Sequence, residues 1–195
     1  MKTKLFVILS IALVTAILMF AGEDNKIPKG WFAAGSNPSE YEMGIDSTTF
    51  QNGQFSVYLK SKNPKSNEFG TLMQSISAEN YLGKRIMLSG YIKSENIEGW
   101  GAIWMRIDGK DENQLGFDNM YNRAVKGTND WKKYEIVLDV PSNSKSINYG
   151  ILLGGFGKIW ADNLNLKLVD ESVPVTNLMR NNKLPAEPNN LDFEE

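Results

Sequence analysis

Residues 99–109 alternate between apolar and polar side chains with a period of two, which predicts an extended strand. One side of this strand carries three apolar residues that we expect to face a hydrophobic core: Ile103, Met105 and Ile107. The other side combines an aromatic ring with two charged groups: Trp104, Arg106 and Asp108. Proteins often hold polar ligands on a flat apolar surface beside fixed hydrogen-bonding groups. The strand therefore predicts both a sheet and a candidate binding face.

Short alternating runs of the same kind recur from residue 31 to residue 169, separated by turn residues roughly every 8–12 positions. A helical turn is expected only around 81–83, and the polar stretch 111–129 is expected to be irregular. The pattern predicts an all-β jelly-roll sandwich of about nine short antiparallel strands over residues 27–170. Residues 171–195 are rich in Pro and Asn, which predicts an extended or flexible tail.

The first 22 residues resemble an export segment. A basic start is followed by an apolar run from Leu5 to Phe20, then by Ala21-Gly22 and a polar stretch. Both a cleaved signal peptide and a retained membrane anchor stay open, because the run is slightly long for a signal and slightly short for a span of ~20 residues. With no Cys after the run, a lipid-anchored form is excluded. We expect an extracytoplasmic protein, secreted or anchored, with residues 5–21 as its membrane contact if uncleaved.

The chain contains no His and no Cys. It therefore lacks disulfides, the usual general base, and the ligands that zinc and iron prefer. The net charge of −2 and the absence of a basic block argue against nucleic acid as a partner. These absences predict a non-catalytic protein without a cofactor, although two-carboxylate glycosidase chemistry does not depend on His or Cys.

Several segments resemble the carbohydrate-binding-module-like, or galactose-binding-like, jelly rolls. The run at 127–141 is similar to their late strands, and Trp160-Ala161-Asp162-Asn163 is similar to their last strand. A more specific resemblance is to a poorly characterised bacterial group, whose domain stands alone or follows a transcription-regulator domain. It rests on four segments: Gly-Trp-Phe-x-Ala-Gly-Ser (30–36), Phe-Gly-Thr-Leu-Met-Gln (69–74), Trp-Met-Arg-Ile-Asp-Gly (104–109) and Phe-Asp-Asn-Met (117–120).

The wider family implies two properties. Its members often bind glycans on a concave sheet face with exposed aromatic residues, and many hold a structural calcium ion near the last strand. Asp162 is the candidate calcium ligand here, but calcium takes six to eight oxygen ligands and no others can be named from the sequence.

The candidate ligand-binding residues combine aromatic, charged and amide side chains: Trp104, Arg106, Asp108, Trp100, Gln74, Asp118 and Asn119. In the functional interpretation, a sugar stacks on Trp104 and Arg106 binds its hydroxyl or carboxylate groups. The alternative is surface packing of Arg106 on Trp104, with Asp108 as its ion partner. Gln74 and the Asp118-Asn119 pair have equally ordinary alternatives, as partners of backbone groups and as turn formers.

The sequence thus predicts a non-catalytic extracytoplasmic binding module for a glycan or another small polar ligand. The alternative is a sensory or protein-interaction domain at the cell surface that has no sugar site. The terminal Asn-Leu-Asp-Phe-Glu at 190–194 has three interpretations: an edge strand, a vestige of a tandem module, or a disordered tail.

Overall fold

The computed structural model describes residues 27–179 and Leu191. The predicted export segment and most of the region 180–195 lie outside these residues. Nine antiparallel strands are present in the described part: β1 (Phe32–Gly35), β2 (Tyr41–Asp46), β3 (Ser56–Ser61), β4 (Phe69–Ser77), β5 (Lys84–Gly109), β6 (Gln114–Asp118), β7 (Val125–Val140), β8 (Ser144–Gly154) and β9 (Lys158–Val169). The predicted all-β class is confirmed. No helix among the described residues has the length and apolar character needed to cross a membrane.

Strand β5 belongs to both layers of the sandwich. Its first part, residues 84–95, lies between β7 and β9, whereas residues 100–109 pair with β8 along their length and with β6 at 105–108. Layer A therefore has the order β1-β4-β8-β5-β6, and layer B has the order β7-β5-β9-β3-β2. The β5–β7 register shifts at three places between Ile92 and Gly101, and Asn96, in the bend at 94–101, has a positive φ of 50°.

The sequence prediction needs two corrections in the strand list. The run expected as a strand at 99–109 is the second half of one strand of 26 residues, because the bend at 94–101 keeps its pairing with β7. The stretch 111–129, expected to be irregular, contains β6 and the beginning of β7. Strands β5 and β7 are therefore longer than the short strands that the sequence predicts. A 3-10 turn lies at Glu79–Tyr81, slightly before the expected position, and two further 3-10 turns that were not expected lie at Pro38–Glu40 and Tyr121–Arg123.

The core fills the space between the two layers. Its fully buried side chains come from both halves of β5 and from the strands on either side, and they include Ile86, Leu88, Ile103, Met105, Ile107, Leu138, Ile147 and Ile151. The predicted inward strip on residues 99–109 is confirmed. Because Ile103, Met105 and Ile107 face inward, Trp104 and Arg106 lie on the outer face of layer A.

Residues 171–179 run along the edges of β6 and β7 and connect the two layers on that side. Thr176 N donates to Val137 O at 2.8 Å, and Leu178 N donates to Phe117 O at 2.8 Å. Phe117 N in turn donates to Asn177 Oδ1 at 3.1 Å. This described part of the predicted tail is therefore held against the sandwich, and we call it the clasp.

The outer face of layer B contains a carboxylate that is almost fully enclosed. Asp46 accepts hydrogen bonds from Trp160 Nε1 at 2.8 Å, from the Thr48 hydroxyl at 2.7 Å, and from the backbone N–H groups of Thr48 and Thr49. Lys158 Nζ lies 3.4 Å away. Burial alone would raise the pKa of Asp46, but the hydrogen bonds from Trp160 and Thr48 outweigh burial and hold that pKa well below its ordinary value.

We predict that Asp46→Asn lowers the free energy of unfolding at pH 7 by about 1–3 kcal/mol, because charge-assisted hydrogen bonds are lost. The folded pKa is depressed, so this stabilisation is present above the unfolded pKa of about 3.9 and is lost as the pH falls below it. Urea unfolding of both proteins from pH 7 to pH 2.5 measures the difference, which should shrink on acidification. Exposed Asp111→Asn is the control, and a pH-independent difference would contradict the assignment.

Candidate functional site

The outer face of layer A is built from three neighbouring strands in register. On β5, Trp104 stands opposite Gly150 of β8, and Gly150 stands opposite Met73 of β4. One row further along, Arg106 stands opposite Asn148. Since directly opposed residues in antiparallel strands share a face, these side chains form rows across the sheet. The first row is apolar and the second is polar.

Trp104 lies across β8 as the floor of this face. Its indole Nε1 donates to Thr71 Oγ1 on β4 at 2.7 Å, so the ring spans the intervening strand where Gly150 has no side chain. The Thr71 hydroxyl itself donates to Ile151 O at 2.7 Å. Trp104 is only 7% exposed and packs with Met73 and Leu152 in a small apolar cluster separate from the main core. The indole is therefore held rigidly, with its polar edge satisfied.

A groove of about 340 Å³ lies above this floor. Its volume falls within the range of about 300–1,000 Å³ that small-molecule sites occupy. The floor and walls are mostly apolar or aromatic, and the lining residues are Ala34, Gly35, Phe69, Thr71, Met73, Trp100, Trp104, Arg106, Phe117, Asn119 and Leu152. Among these described residues, Arg106 is the one that carries a charge. The outer-face groove thus combines aromatic surface with few polar groups.

Trp100 forms one end of the outer-face groove. A Cβ atom at Gly154, its register partner, would lie 2.6 Å from the Trp100 Nε1 atom, so the indole needs a glycine at that position. Tyr121, which is 73% exposed, meets Trp100 edge to face with ring centroids 5.9 Å apart. Trp100 and Phe69 also line a second, more polar groove of about 420 Å³, whose rim includes the exposed carboxylates Glu68 and Glu98.

Arg106 and Asp108 form an ion pair at the other end of the face. Arg106 Nη2 donates to Asp108 Oδ2 at 2.8 Å, while Nε lies 2.8 Å from Oδ1 in ionic contact without a hydrogen bond. Asn148 Nδ2 also donates to Asp108 Oδ2 at 2.8 Å, and Ser75 donates to Asn148 Oδ1 at 2.6 Å. Asp108 is thus fixed from β5, β8 and β4, with 19% of its side chain exposed against 41% for Arg106.

The structure brings together most of the predicted site residues. Trp100, Trp104, Arg106 and Asn119 line the outer-face groove, and Asp108 lies next to it on Arg106. The ion pair named as the alternative for Arg106 is therefore present within the candidate site.

Two predicted site residues lie elsewhere. Gln74 shares the inner face with Leu72 and accepts a hydrogen bond from the Tyr149 hydroxyl, because its position in β4 has the opposite parity to Met73. Asp118 is fully buried, accepting from Met120 N at 2.7 Å and pairing with Arg123 Nη2 at 2.7 Å. The prediction that Gln74 and Asp118 belong to the candidate binding face is therefore wrong, because neither residue lines the groove. Asp118 stands opposite the inward-facing Met105 and therefore points inward, whereas Phe117 and Asn119 on either side of it line the groove.

Several groove residues were not predicted from the sequence: Phe69, Thr71, Met73, Phe117, Leu152 and the neighbouring Tyr121. A signal for part of the site was present, since Trp100 and Trp104 are four residues apart and their partners Gly150 and Gly154 have the same spacing. When two tryptophans stand opposite two glycines in this way, their indole rings have room to lie against the neighbouring strand, here β8.

The residues around Asp162 do not fit a calcium ion. Asp162 Oδ2 accepts from Gln51 N at 2.8 Å and Asn52 N at 2.9 Å, and Oδ1 accepts from Asn163 N at 2.6 Å. Calcium requires oxygen ligands, whereas these neighbours present N–H groups. Among residues 27–179 and Leu191, no group of three or more acidic, His or Cys side chains is placed to hold a metal. Asp162 instead anchors the loop before β3.

Comparison with solved structures shows that the fold is similar to the jelly-roll sandwich of carbohydrate-binding modules. The CBM22-1 xylan-binding domain from Paenibacillus barcinonensis matches with a TM-score of 0.50 at 16% identity, over 72% of this chain and 86% of that one. A CBM61 module in complex with β-1,4-galactotriose matches with 0.50 at 14%, over 74% and 92%. The enzymatically active domain of bacteriophage CBA120 tailspike protein 4 matches with 0.57 at 14%, over 74% and 20%.

One curated protein is much more similar in sequence. The uncharacterised HTH-type transcriptional regulator YbfP of Bacillus subtilis strain 168 is 47% identical over 168 residues, which is 86% of this chain. The chain spans 57% of the length of that relative. No protein-family model matches the chain. The match agrees with the predicted resemblance to domains that stand alone or follow a regulator domain.

We predict that Thr71→Val destabilises the fold by about 1–3 kcal/mol, because the buried Trp104 N–H loses its acceptor while the side-chain volume is kept. Urea unfolding monitored by tryptophan fluorescence measures the change. Thr128→Val, at an exposed hydroxyl that bonds Asn96, is the matched control and should cost less. Equal losses in the two variants would contradict a structural role for the Trp104–Thr71 bond.

Proposed function

We propose that the chain is a non-catalytic carbohydrate-binding module that holds a glycan in the outer-face groove. The aromatic-lined groove above Trp104, on one face of a carbohydrate-binding-module fold, is the observation that carries this proposal. Structural neighbours named for xylan binding and for a galactotriose complex support the same class of ligand. Their low identity means that the ligand of this chain has to be argued from its own groove.

The groove matches the two chemical surfaces of a sugar ring. The C–H faces of a pyranose are apolar and pack against aromatic rings, as Trp100 and Phe117 would allow at the ends of the groove. The hydroxyl groups at the ring edge need hydrogen-bonding partners, which the exposed part of Arg106 and the Asn119 side chain supply. Because Trp104 is already held rigidly in the floor of the groove, binding such a ligand would cost little conformational entropy of the protein.

The lining of the groove supports a binding role over a catalytic one. Glycoside hydrolysis generally uses two carboxyl groups on either side of the scissile bond. Among the described residues that line the groove, Arg106 is the ionisable side chain, and Asp108 beside it is engaged by Arg106 and Asn148. The proposed module therefore retains a glycan without cleaving it.

We predict that residues 23–195 bind β-1,4-linked oligosaccharides such as xylohexaose or β-1,4-galactotriose in isothermal titration calorimetry. Trp100→Ala should weaken binding at least about tenfold, because the loss of an aromatic contact with the sugar costs about 1.4 kcal/mol or more. Phe55→Ala, at an exposed aromatic residue outside the groove, should bind normally. No binding across a panel of neutral and acidic glycans would refute the proposed function.

We further propose that the module works outside the cytoplasm, on the basis of the apolar run from Leu5 to Phe20 behind a basic start. Expression of the full chain in bacteria, followed by fractionation and intact-mass measurement, tests this. A mass lower than 21.9 kDa by the leader indicates a cleaved signal, and the full mass in the membrane fraction indicates an anchor. Full-length protein in the cytosol would contradict both.

The regulator relative favours a second candidate, a sensory or protein-interaction domain that has no sugar site. A regulator needs a domain whose state changes with a signal, and the groove is equally open to another small ligand. An empty glycan panel together with a specific co-purifying protein would support this candidate. Binding that is lost in Trp100→Ala, with thermal unfolding preserved, would favour the carbohydrate module.

A further inference from the structure

The charge balance of the outer-face groove bears on which glycans it accepts. Arg106 is the charged residue among the described lining, and a free guanidinium there would favour acidic sugars through charge-assisted hydrogen bonds to a carboxylate. Arg106 is not free, however, because Asp108 holds it in an ion pair on the same face of β5. The formal charge of the pair is zero.

The position of Asp108 is fixed by the sheet itself. Its carboxylate accepts from Arg106 Nη2 and Asn148 Nδ2, both at 2.8 Å, and Asn148 is held in turn by Ser75 at 2.6 Å. These residues stand on three adjacent strands. The Asp108 carboxylate can therefore move away only if its hydrogen bonds to Arg106 and Asn148 are broken. An acidic sugar would have to compete with Asp108 for the guanidinium while lying close to a like charge.

The neighbouring polar groove adds to this effect. Glu68 and Glu98 lie on its rim, beyond Trp100, with Lys65 as the cation in the same lining. A glycan chain that continues past Trp100 therefore meets more carboxylates than ammonium groups. A neutral chain is unaffected, whereas an acidic chain is repelled at the Trp100 end and meets no net positive charge at the Arg106 end.

We propose that Asp108 is a specificity-determining residue that makes the outer-face groove select uncharged sugars over acidic ones. This inference rests on the proposed carbohydrate-binding function and names the ligand class of the same site. Arg106 then acts as a donor to hydroxyl groups rather than as a receptor for a carboxylate.

The experiment compares a neutral sugar with an acidic counterpart in each of two pairs of probes. The probes are β-1,4-galactotriose and its C6-carboxylate derivative, and xylohexaose and a glucuronic-acid-substituted xylo-oligosaccharide, measured by calorimetry with the wild type. We expect the neutral member to bind at least about tenfold more tightly, since the acidic member has to break the charge-assisted contact between Arg106 and Asp108 or lie beside the Asp108 carboxylate. Equal or tighter binding of the acidic member overturns the inference but leaves the proposed function standing. No binding of any probe or panel glycan refutes the proposed function itself.

Variants then assign the selectivity to Asp108. Asp108→Asn should shift the acidic-to-neutral affinity ratio about tenfold toward the acidic sugar, by releasing the Arg106 charge. The double variant Arg106→Gln with Asp108→Asn should lose that shift, and Asp130→Asn, at an ion pair with Lys93 outside the groove, should show none. An unchanged ratio in a folded Asp108→Asn protein overturns the assignment. If that variant fails to fold, the wild-type ratio remains a test of the inference.

Discussion

The pairing of β5 with four other strands is the constraint on which the rest of the structure depends. Residues 84–95 build layer B with β7 and β9, and residues 100–109 build layer A with β8 and β6. Both layers therefore share one continuous backbone, and the relative placement of their inner faces follows from the bend at 94–101. A register slip of one residue in residues 100–109 would bring Trp104 into the core and expose Ile103.

Much of the fold could be predicted from alternation alone, because the core strips follow a strict period of two. Ile103, Met105 and Ile107 are fully buried as expected. Alternation does not show whether two runs belong to one strand, since the irregular residues 94–101 interrupt the period while the pairing with β7 continues. It also misses β6, whose five residues are too few to establish a pattern.

Apart from Asn119, the groove residues that were predicted from the sequence lie on β5, where alternation shows which face each side chain takes. Trp104 and Arg106 were placed correctly because they alternate with a clear core strip. Gln74 was grouped with them on chemical character, although its parity within β4 directs it inward. Met73 and Phe117 were missed because a groove depends on which strands become neighbours, and strand order is a property of the tertiary fold rather than of any local pattern.

The clasp has a consequence for how this molecule behaves at high concentration. Edge strands expose unpaired N–H and C=O groups that can template pairing with another chain. Here the outward groups of Phe117 and Val137 are already bonded to Asn177, Leu178 and Thr176. Edge-to-edge aggregation is blocked at those positions of β6 and β7, and a protein that docks on this side must recognise side-chain surfaces instead of adding a strand.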